Sequence, residues 1–542
     1  MAQVTPFVRQ IKYRISCKQA QIAPVCIGGK AQSVPACSIA QVETAKQFAR
    51  TSGNKGRAQR WATLPLLLVA WGLMLVALDA HPIREDEALY AAWALELARH
   101  DFWLVGVPVD KPPLFLWLLA AWQQTVGSSV AAMRLLNVAL SLLSATLLYA
   151  LARRLTDRPS AWLTLAVYAA SPFAILFAPT LYTDPLLTTT LLAACLAAVQ
   201  RRWGWLGFCL GLALATKQQA LLLLPLLVCL MPRPLARPPW LAWRGLLGLI
   251  LALGPALVWD AHRLALTPPG GPPTVWVQSA VSYGGLSLAP LSAWLPRLVA
   301  WLTPAQVLAP GWASAGLLLL GVALALRQGW QRRSSPSSRP WRSPAGPPWE
   351  LPLLGFVLIY LALQVVVSFQ VWDRYLLPLA PLLALYSALA LRWLWRRGGP
   401  IILLIGLLLL SVPAWRAAHG GYPIGSDHGA YDGIEEAALV VRQYLPDNPF
   451  GVLYHHWLGW HWQYYLDGAQ FQRIYYPTPD YLAADAAGPP QYTRLVVIPA
   501  WRQDDALAAA LAAQGLRLHW LHSTYRPDGS PSFLIYRIEP SP

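Results

Sequence analysis

Three consecutive acids, Glu85-Asp86-Glu87, follow directly on the first long apolar run of the chain. A carboxylate can take a proton from a hydroxyl, and adjacent carboxylates oppose each other's ionisation, so that one can bind while the other abstracts. The triplet also reads as the acidic first turn of a helix, where the dipole favours negative charge by about 0.3–1 kcal/mol. One acid would suffice for that. Further on, Asp110-Lys111-Pro112-Pro113-Leu114 sets a lysine before two prolines, which fix an extended turn and release the chain into the next apolar segment. Such a lysine either snorkels beside a turn or is a cation held at headgroup level for a lipid phosphate. Asp184 precedes Pro185 at a helix start, where an N-cap contributes about 1 kcal/mol. Lys217, Asp260 and the pair Asp373-Arg374 complete the charges close to apolar runs.

The elements that must hold these residues are membrane spans. The chain of 542 residues is 56% hydrophobic and 12% charged, with mean hydropathy +0.41. A soluble domain carries about 25% charged residues, so no soluble fold suits this composition. About eleven apolar runs are expected as spans, near 62–80, 129–152, 159–179, 185–200, 203–216, 219–231, 245–259, 312–326, 351–369, 376–391 and 399–415. The loops between them alternate in character. Arg153-Arg154, Arg201-Arg202, Arg233 to Arg244, Arg327 to Arg342 and Arg392 to Arg397 fall on one side, with Asp157 as the sole acid there. Cytoplasmic loops are enriched in Lys and Arg, so this side is expected inside. The acid triplet, Asp110-Lys111, Asp184, Lys217, Asp260 and Asp373-Arg374 then all lie outside. The net charge of +17 is thus explained by topology and needs no nucleic-acid partner.

Residues 1–60 hold ten Lys and Arg against one acid, Glu43, without an apolar core, and read as a basic disordered cytoplasmic tail. Residues 61–415 form the multi-span domain, with external loops at 81–128 and 260–311. In the first loop, Leu89, Trp93 and Leu97 make one stripe of an amphipathic helix suited to an interface. Arg332–Trp349 reads as a flexible linker. Residues 416–542 have ordinary polarity, with helical patterns at 432–445 and Asp504–Gln514 and strand-like runs at Val452–His455, Leu495–Pro499 and Phe533–Ile538. That alternation predicts a small extracytoplasmic α/β domain behind an α-helical polytopic membrane protein. Cys17, Cys26, Cys37, Cys195, Cys209 and Cys229 show no CxxC spacing, which supports neither a zinc site nor a disulfide framework. His455, His456 and His461 sit in an aromatic segment that suits a packed or sugar-facing surface better than a metal site. There is no P-loop and no GxGxxG after a strand.

The order of these motifs resembles the polyprenyl-phosphate-sugar glycosyltransferases of the GT-C fold, and within them the protein O-mannosyltransferases and the lipid A aminoarabinose transferase. The resemblance is carried by the basic tail, a first span, Asp86-Glu87, Asp110-Lys111-Pro112-Pro113, Thr183-Asp184-Pro185, Thr216-Lys217 and Arg374-Tyr375-Leu376-Leu377-Pro378. It covers residues 62–392 or so; no β-trefoil domain is visible. It implies transfer of a sugar from a polyprenyl-phosphate donor to an acceptor hydroxyl on a protein, a lipid or a cell-wall glycan, at the external face of the inner (plasma) membrane. Such transfer needs a base near the acceptor and cations on the departing phosphate. The resemblance implies Asp86 as base with Glu87 beside it, Lys111 on the donor phosphate, and Asp184 in the catalytic cavity, on the acceptor or on a divalent metal. Arg374, whose planar fork suits phosphate, and Lys217 are further phosphate candidates. Asp373 is expected to orient Arg374. No cofactor is implied with certainty. A transporter or flippase would instead bury charges at mid-span between related halves, and a non-enzymatic assembly protein would leave the convergent charges without a task.

Overall fold

The computed structural model describes residues 63–78, 81–231, 239–283, 287–334, 349–368, 370–425, 427, 429–502 and 505–542. The basic segment 1–60 with Cys17, Cys26 and Cys37, and most of the stretch read as a linker, lie outside the described residues. Helices dominate up to residue 418. In chain order they are α1 (Leu64–Val76), α2 (Glu85–Arg99), α3 (Leu114–Thr125), α4 (Val130–Leu155), α5 (Arg158–Ala169), α6 (Pro172–Phe177), α7 (Asp184–Val199), α8 (Trp203–Thr216), α9 (Leu224–Leu230), α10 (Pro239–Leu266), α11 (Val275–Tyr283), α12 (Leu291–Leu308), α13 (Gly311–Ser334), α14 (Glu350–Val366) and α15 (Ala380–Ala418).

Among the described residues, four helical stretches have the length and composition to cross a membrane: Val130–Leu155, Trp243–Leu266, Gly311–Gln331 and Asp373–Ala418. The last is two limbs. Gly399 adopts φ 70° and ψ −167°, and a Cβ placed on Gly406 would lie 2.8 Å from Leu391 Cδ2, so the second limb folds back along the first. This matches the two runs expected at 376–391 and 399–415. Five other apolar helices are shorter, Leu64–Val76, Asp184–Val199, Trp203–Thr216, Gln218–Leu230 and Glu350–Val366. The run expected as one span at 159–179 is broken before Pro172, which opens α6. Proline lacks the N–H that would continue α5.

Two packing features place the charged ends. Helices α8 and α10 meet backbone to backbone: a Cβ on Gly207 would sit 1.8 Å from the Gly245 carbonyl oxygen, and one on Gly248 2.2 Å from that of Gly204. Small residues permit such an approach, the usual device where lipid offers no hydrophobic drive between helices. Helix α4 sets the vertical scale. Near its start Arg134 binds Glu87; just beyond its end Asp157 caps α5 and pairs with Arg392 at 3.3 Å and Arg396 at 3.1 Å. Between Arg134 and Leu155 the helix rises about 30 Å, the thickness of a bilayer's hydrocarbon core. The Asp157–Arg392–Arg396 cluster and the Glu87–Arg134 pair therefore lie at opposite ends of α4.

The remainder is a five-stranded sheet in the order β2-β1-β3-β5-β4, with β1 (Gly451–His455), β2 (Gln472–Tyr475), β3 (Thr493–Pro499), β4 (Leu516–Tyr525) and β5 (Pro531–Pro540). The first three strands run parallel and the last two pair antiparallel. Around it lie α16 (Ile434–Tyr444), α17 (Gly459–Tyr465), α18 (Pro479–Ala486) and α19 (Asp505–Ala513). One apolar core joins α16 and α17 to the sheet through Val441, Trp462 and Ile535, and a second joins α18 and α19 through Leu482, Leu511 and Val496.

Helix α2 spans the expected residues, but it is not a one-sided interfacial helix. Tyr90, Ala91, Ala92, Trp93, Ala94 and Leu95 are all buried, because α17 covers the face that would otherwise meet water. Trp93 packs edge-on against Trp460 at 5.5 Å.

Candidate active site

The site is built where α2, the turns before α3 and α7, the end of α8 and the turn before α15 converge. Asp86 stands in the first turn of α2, a quarter exposed, and its carboxylate pairs with the Arg374 guanidinium. Arg374 also lies 3.8 Å from Asp184 Oδ2, and Lys217 Nζ donates to Asp184 Oδ1 at 2.7 Å. Asp86, Arg374, Asp184 and Lys217 thus form one continuous chain of alternating charge. Lys111 stands beside it, donating from Nζ to Asp110 Oδ2 at 2.8 Å and to the Tyr283 hydroxyl at 2.9 Å. Burial lowers the Lys111 ammonium from the ordinary lysine range, and Asp110 opposes that shift.

Each group is held by its element. Asp184 is the first residue of α7 and no side chain caps that helix, so its carboxylate serves Lys217 and Arg374 rather than backbone N–H groups. The turn that delivers it is pinned by Asn137, whose Nδ2 donates to the carbonyls of Thr180 at 2.6 Å and Tyr182 at 2.8 Å. Lys217 terminates α8 in extended conformation, and Gln218 beyond it donates to the Asp110 carbonyl at 2.9 Å. Asp373 accepts from the backbone N–H of Arg374 at 2.7 Å and of Gly425 at 2.8 Å. It orients the segment rather than the guanidinium directly. The guanidinium itself lies over the rings of Tyr182 (4.6 Å) and Trp372 (4.5 Å).

A cavity of about 330 Å³ opens beside this chain, lined by Lys111, Lys217, Gln218, Gln219, Leu221, Leu222, Trp276, Ser279, Ala280, Tyr283, Gln364 and Tyr375. Its walls are mainly apolar, with the two ammonium groups among its few charges. Asp86, Asp184 and Arg374 do not line it; they adjoin it through Lys217 and the ring of Tyr375, which lies 4.5 Å from Lys217 Nζ. Helix α11 forms one wall, its start fixed by Asp260, which accepts from Val275 N at 3.1 Å and from Arg263 at 3.1 Å.

Glu87 is placed differently from its neighbour. Fully buried, it accepts from Arg134 at 2.8 and 3.2 Å, from Leu181 N at 2.8 Å and from Arg84 N at 3.0 Å. Burial works to raise its carboxyl, but Arg134 and Arg84 outweigh burial and hold it below the usual range. Arg134 in turn donates to the carbonyls of Leu78, His81 and Pro82. Glu87 thus ties α2 to α4 through Arg134, to the turn before α7 through Leu181 and to the loop before α2 through Arg84. Glu85 points the other way, to the Tyr431 hydroxyl at 3.4 Å, and its carboxyl is raised by burial and by Asp86.

Of the sequence candidates, Asp86, Asp184, Lys217 and Arg374 are in mutual contact, Lys111 adjoins them across the cavity, and Glu87 is withdrawn from it. Sequence reasoning missed Arg134, Tyr182 and Tyr283, and named Tyr375 only within the Arg374 motif, without a role. Arg134 carries a visible signal, a lone arginine in the first turns of an apolar helix; Tyr182 and Tyr283 carry none. The histidines go to separate tasks. His461 Nε2 donates to the Ile83 carbonyl at 3.0 Å while its ring stacks on Tyr431 at 4.6 Å, and burial pushes it down to about 4, so it is neutral. Among the described residues no three His, Cys, Asp or Glu side chains cluster as a metal site would need. Asp86 and Asp184 in the site are bridged by Arg374, which pairs with both.

Residues 110–259, which include Lys111, Asp184 and Lys217, match the dolichyl-phosphate-mannose-protein mannosyltransferase family. The chain is 29% identical over 311 residues to the undecaprenyl phosphate-alpha-4-amino-4-deoxy-L-arabinose arabinosyl transferase 1 of Pseudomonas fluorescens, covering 52% of this chain and 53% of that protein. It is 30% identical over 305 residues to the corresponding transferase of Pseudomonas paraeruginosa, covering 52% of each. The chain therefore spans about half the length of the curated relatives it matches. In three dimensions it aligns with ArnT from Cupriavidus metallidurans in the apo state at a TM-score of 0.62 and 16% identity, covering 89% of this chain and 98% of that one. With the same protein bound to undecaprenyl phosphate the TM-score is 0.58 and the identity 17%. The protein accordingly has the fold of that transferase, and over about half its length its sequence is similar to polyprenyl-phosphate-sugar transferases, in line with the resemblance its motifs carry.

Proposed function

We propose that the protein is a membrane glycosyltransferase that moves a sugar from a polyprenyl-phosphate donor to an acceptor hydroxyl. The observation that carries this reading is the charge chain Asp86–Arg374–Asp184–Lys217 set against an apolar cavity with Lys111 and Lys217 at its wall. An apolar pocket with ammonium groups suits a lipid phosphate: the polyprenyl chain meets the walls and the phosphate meets the cations. In the reaction Asp86 takes the proton of the acceptor hydroxyl as its oxygen attacks the anomeric carbon. The bond from that carbon to the phosphate oxygen breaks, and its electron pair leaves on the carrier phosphate, where Lys111 and Lys217 stabilise the charge. Attack opposite the leaving phosphate inverts the anomeric centre. Arg374 ties the base Asp86 to Asp184 and so to the cation Lys217. We assign Glu87 a positioning role, since its carboxylate is consumed by Arg134 and the backbone.

The same reading carries a topology. The shorter apolar helices complete about eleven crossings, with residues 1–60 cytoplasmic, residues 61–415 as the transfer domain, and residues 416–542 as an α/β domain outside the inner membrane. Acceptors of three kinds, a protein, a lipid or a cell-wall glycan, offer the required hydroxyl. The segregation of Asp86, Asp184, Lys217 and Arg374 to one end of the bundle favours transfer over a transport path through its middle.

Lys111 provides the test. Hydrogen bonds to charged groups contribute about 1.5–3 kcal/mol, so Lys111→Ala should raise the apparent KM for a purified undecaprenyl-phosphate sugar by roughly tenfold to a hundredfold. Steady-state kinetics in liposomes check it, and an unchanged KM would leave Lys111 as a snorkelling residue with no part in donor binding.

A further inference from the structure

The sheet presents one edge that the transfer reaction does not use. Strands β2, β1 and β3 run parallel with β1 between the other two, so the connections leaving β1 and β2 depart to opposite sides. The carboxyl ends on either side of such a switch point are where open α/β sheets bind ligands. Here those ends carry His456 and Trp457 after β1, Tyr475 at the end of β2, and Trp501 and Arg502 after β3. Large aromatic rings would normally be buried, yet Trp457 is 47% exposed, Tyr475 54% and Trp501 45%. The turn that directs Trp457 outward passes through Leu458 at φ 70°, a left-handed conformation that costs a branched residue about 1–3 kcal/mol and persists only where the surroundings demand it.

Polar groups accompany the rings. The Arg502 guanidinium lies 4.4 Å over the Trp457 ring and that of Arg526 lies 5.9 Å from Trp501. His456 stacks on Tyr475 at 5.5 Å and 16°. Its Nδ1 donates to the Tyr476 carbonyl at 2.6 Å, which leaves Nε2 as an acceptor. Buried His455 beneath has an Nδ1 with no hydrogen-bond partner. Flat rings for the C–H face of a sugar, an acceptor for its hydroxyls and two guanidinium groups for an anionic substituent form a coherent set. The edge is also continuous with the site. Arg526 Nε donates to the Gly429 carbonyl at 2.9 Å, and Tyr431, two residues on, reaches Glu85 beside Asp86.

We propose that Trp457, Trp501, Arg502 and Arg526 form a saccharide-binding platform for an anionic sugar of the acceptor, separate from the reacting centre. Its assignment to the acceptor rests on the transferase reading; its binding of the sugar does not. The test is saturation-transfer NMR on the full-length protein in nanodiscs, with glucose 6-phosphate, glucose and inorganic phosphate. Ring-proton saturation is expected with glucose 6-phosphate and weaker saturation with glucose. The double variant Trp457→Ala/Trp501→Ala should lose about tenfold or more in affinity, since aromatic rings that a ligand covers dominate such contacts. Trp457→Phe, which keeps a flat ring, should retain binding and shows that the loss is not unfolding. Asp86→Asn should bind as the parent does, so a protein that binds the sugar phosphate but transfers nothing would refute the transferase reading alone. No ring-proton saturation, equal binding by the double alanine variant, or displacement by phosphate as effective as by the sugar phosphate would each overturn the platform.

Discussion

Arg374 is the residue on which the site's electrostatics turn. It pairs with Asp86 and approaches Asp184, while Lys217 completes the charge of Asp184 from the other side. Three cations (Lys111, Lys217, Arg374) and three acids (Asp86, Asp110, Asp184) are therefore balanced before any phosphate arrives. Glu87 stands outside that balance with its own partner. Removing one member of a buried pair leaves the other charge uncompensated, at a cost of about 3–5 kcal/mol. Glu87→Gln and Arg134→Met should each lower the thermal midpoint in detergent markedly, and the double variant should recover part of the loss. Losses that simply add would contradict the pairing. The resemblance singled out Asp86 within the triplet and set Glu87 beside it; the withdrawal of Glu87 from the charge chain was not legible. Helical spacing sets Asp86 and Glu87 about 100° apart, and only the position of Arg134, on another helix, decides which one is buried.

At the scale of elements, a glycine seam locks α8, the helix that ends at Lys217, against α10. A methyl group in an open helix stabilises by about 1 kcal/mol over glycine. A methyl carbon added to Gly316 in α13 would meet nothing within 4 Å, so Gly316→Ala should be neutral or stabilising. Gly207→Ala should do the reverse, because its Cβ would overlap the Gly245 carbonyl; overpacking of this kind costs about 1–3 kcal/mol. Unfolding midpoints in matched detergent check the sign at each position, and a stabilised Gly207→Ala would remove the seam from the account. Boundaries of α2, α16, β1 and β3 were readable from periodicity and turn residues. Strands β2 and β4 were not, since each lies at an edge of the sheet: β2 is four residues of mixed polarity, and β4 is interrupted by a register shift at Trp520 and His522. The break at Pro172 was also missed, because apolar length alone does not register a proline that divides a run.

For the molecule as a whole, the two ends of α4 carry different charge clusters. The Asp157–Arg392–Arg396 cluster lies at one end and the Glu87–Arg134 pair near the other, so charge segregation read along the sequence reappears as spatial segregation. If the arginine end is cytoplasmic, the α/β region, whose α17 donates from His461 and Tyr464 to the Ile83 and Ser128 carbonyls near the acidic end, lies outside. A reporter fused after Pro542 should therefore be active only in the extracytoplasmic compartment; activity in the cytoplasm would invert the assignment of every motif. The proposed task of Asp86 is proton abstraction during sugar transfer. Asparagine keeps the size and the acceptor oxygen of Asp86 but cannot take a proton, and a positioned general base contributes about a hundredfold to ten-thousandfold. Transfer of labelled sugar from undecaprenyl phosphate by Asp86→Asn, measured beside donor binding in the same preparation, tests this most directly. A fall in transfer of that size with donor binding largely retained is expected, whereas transfer at the parent rate would contradict a general base at Asp86.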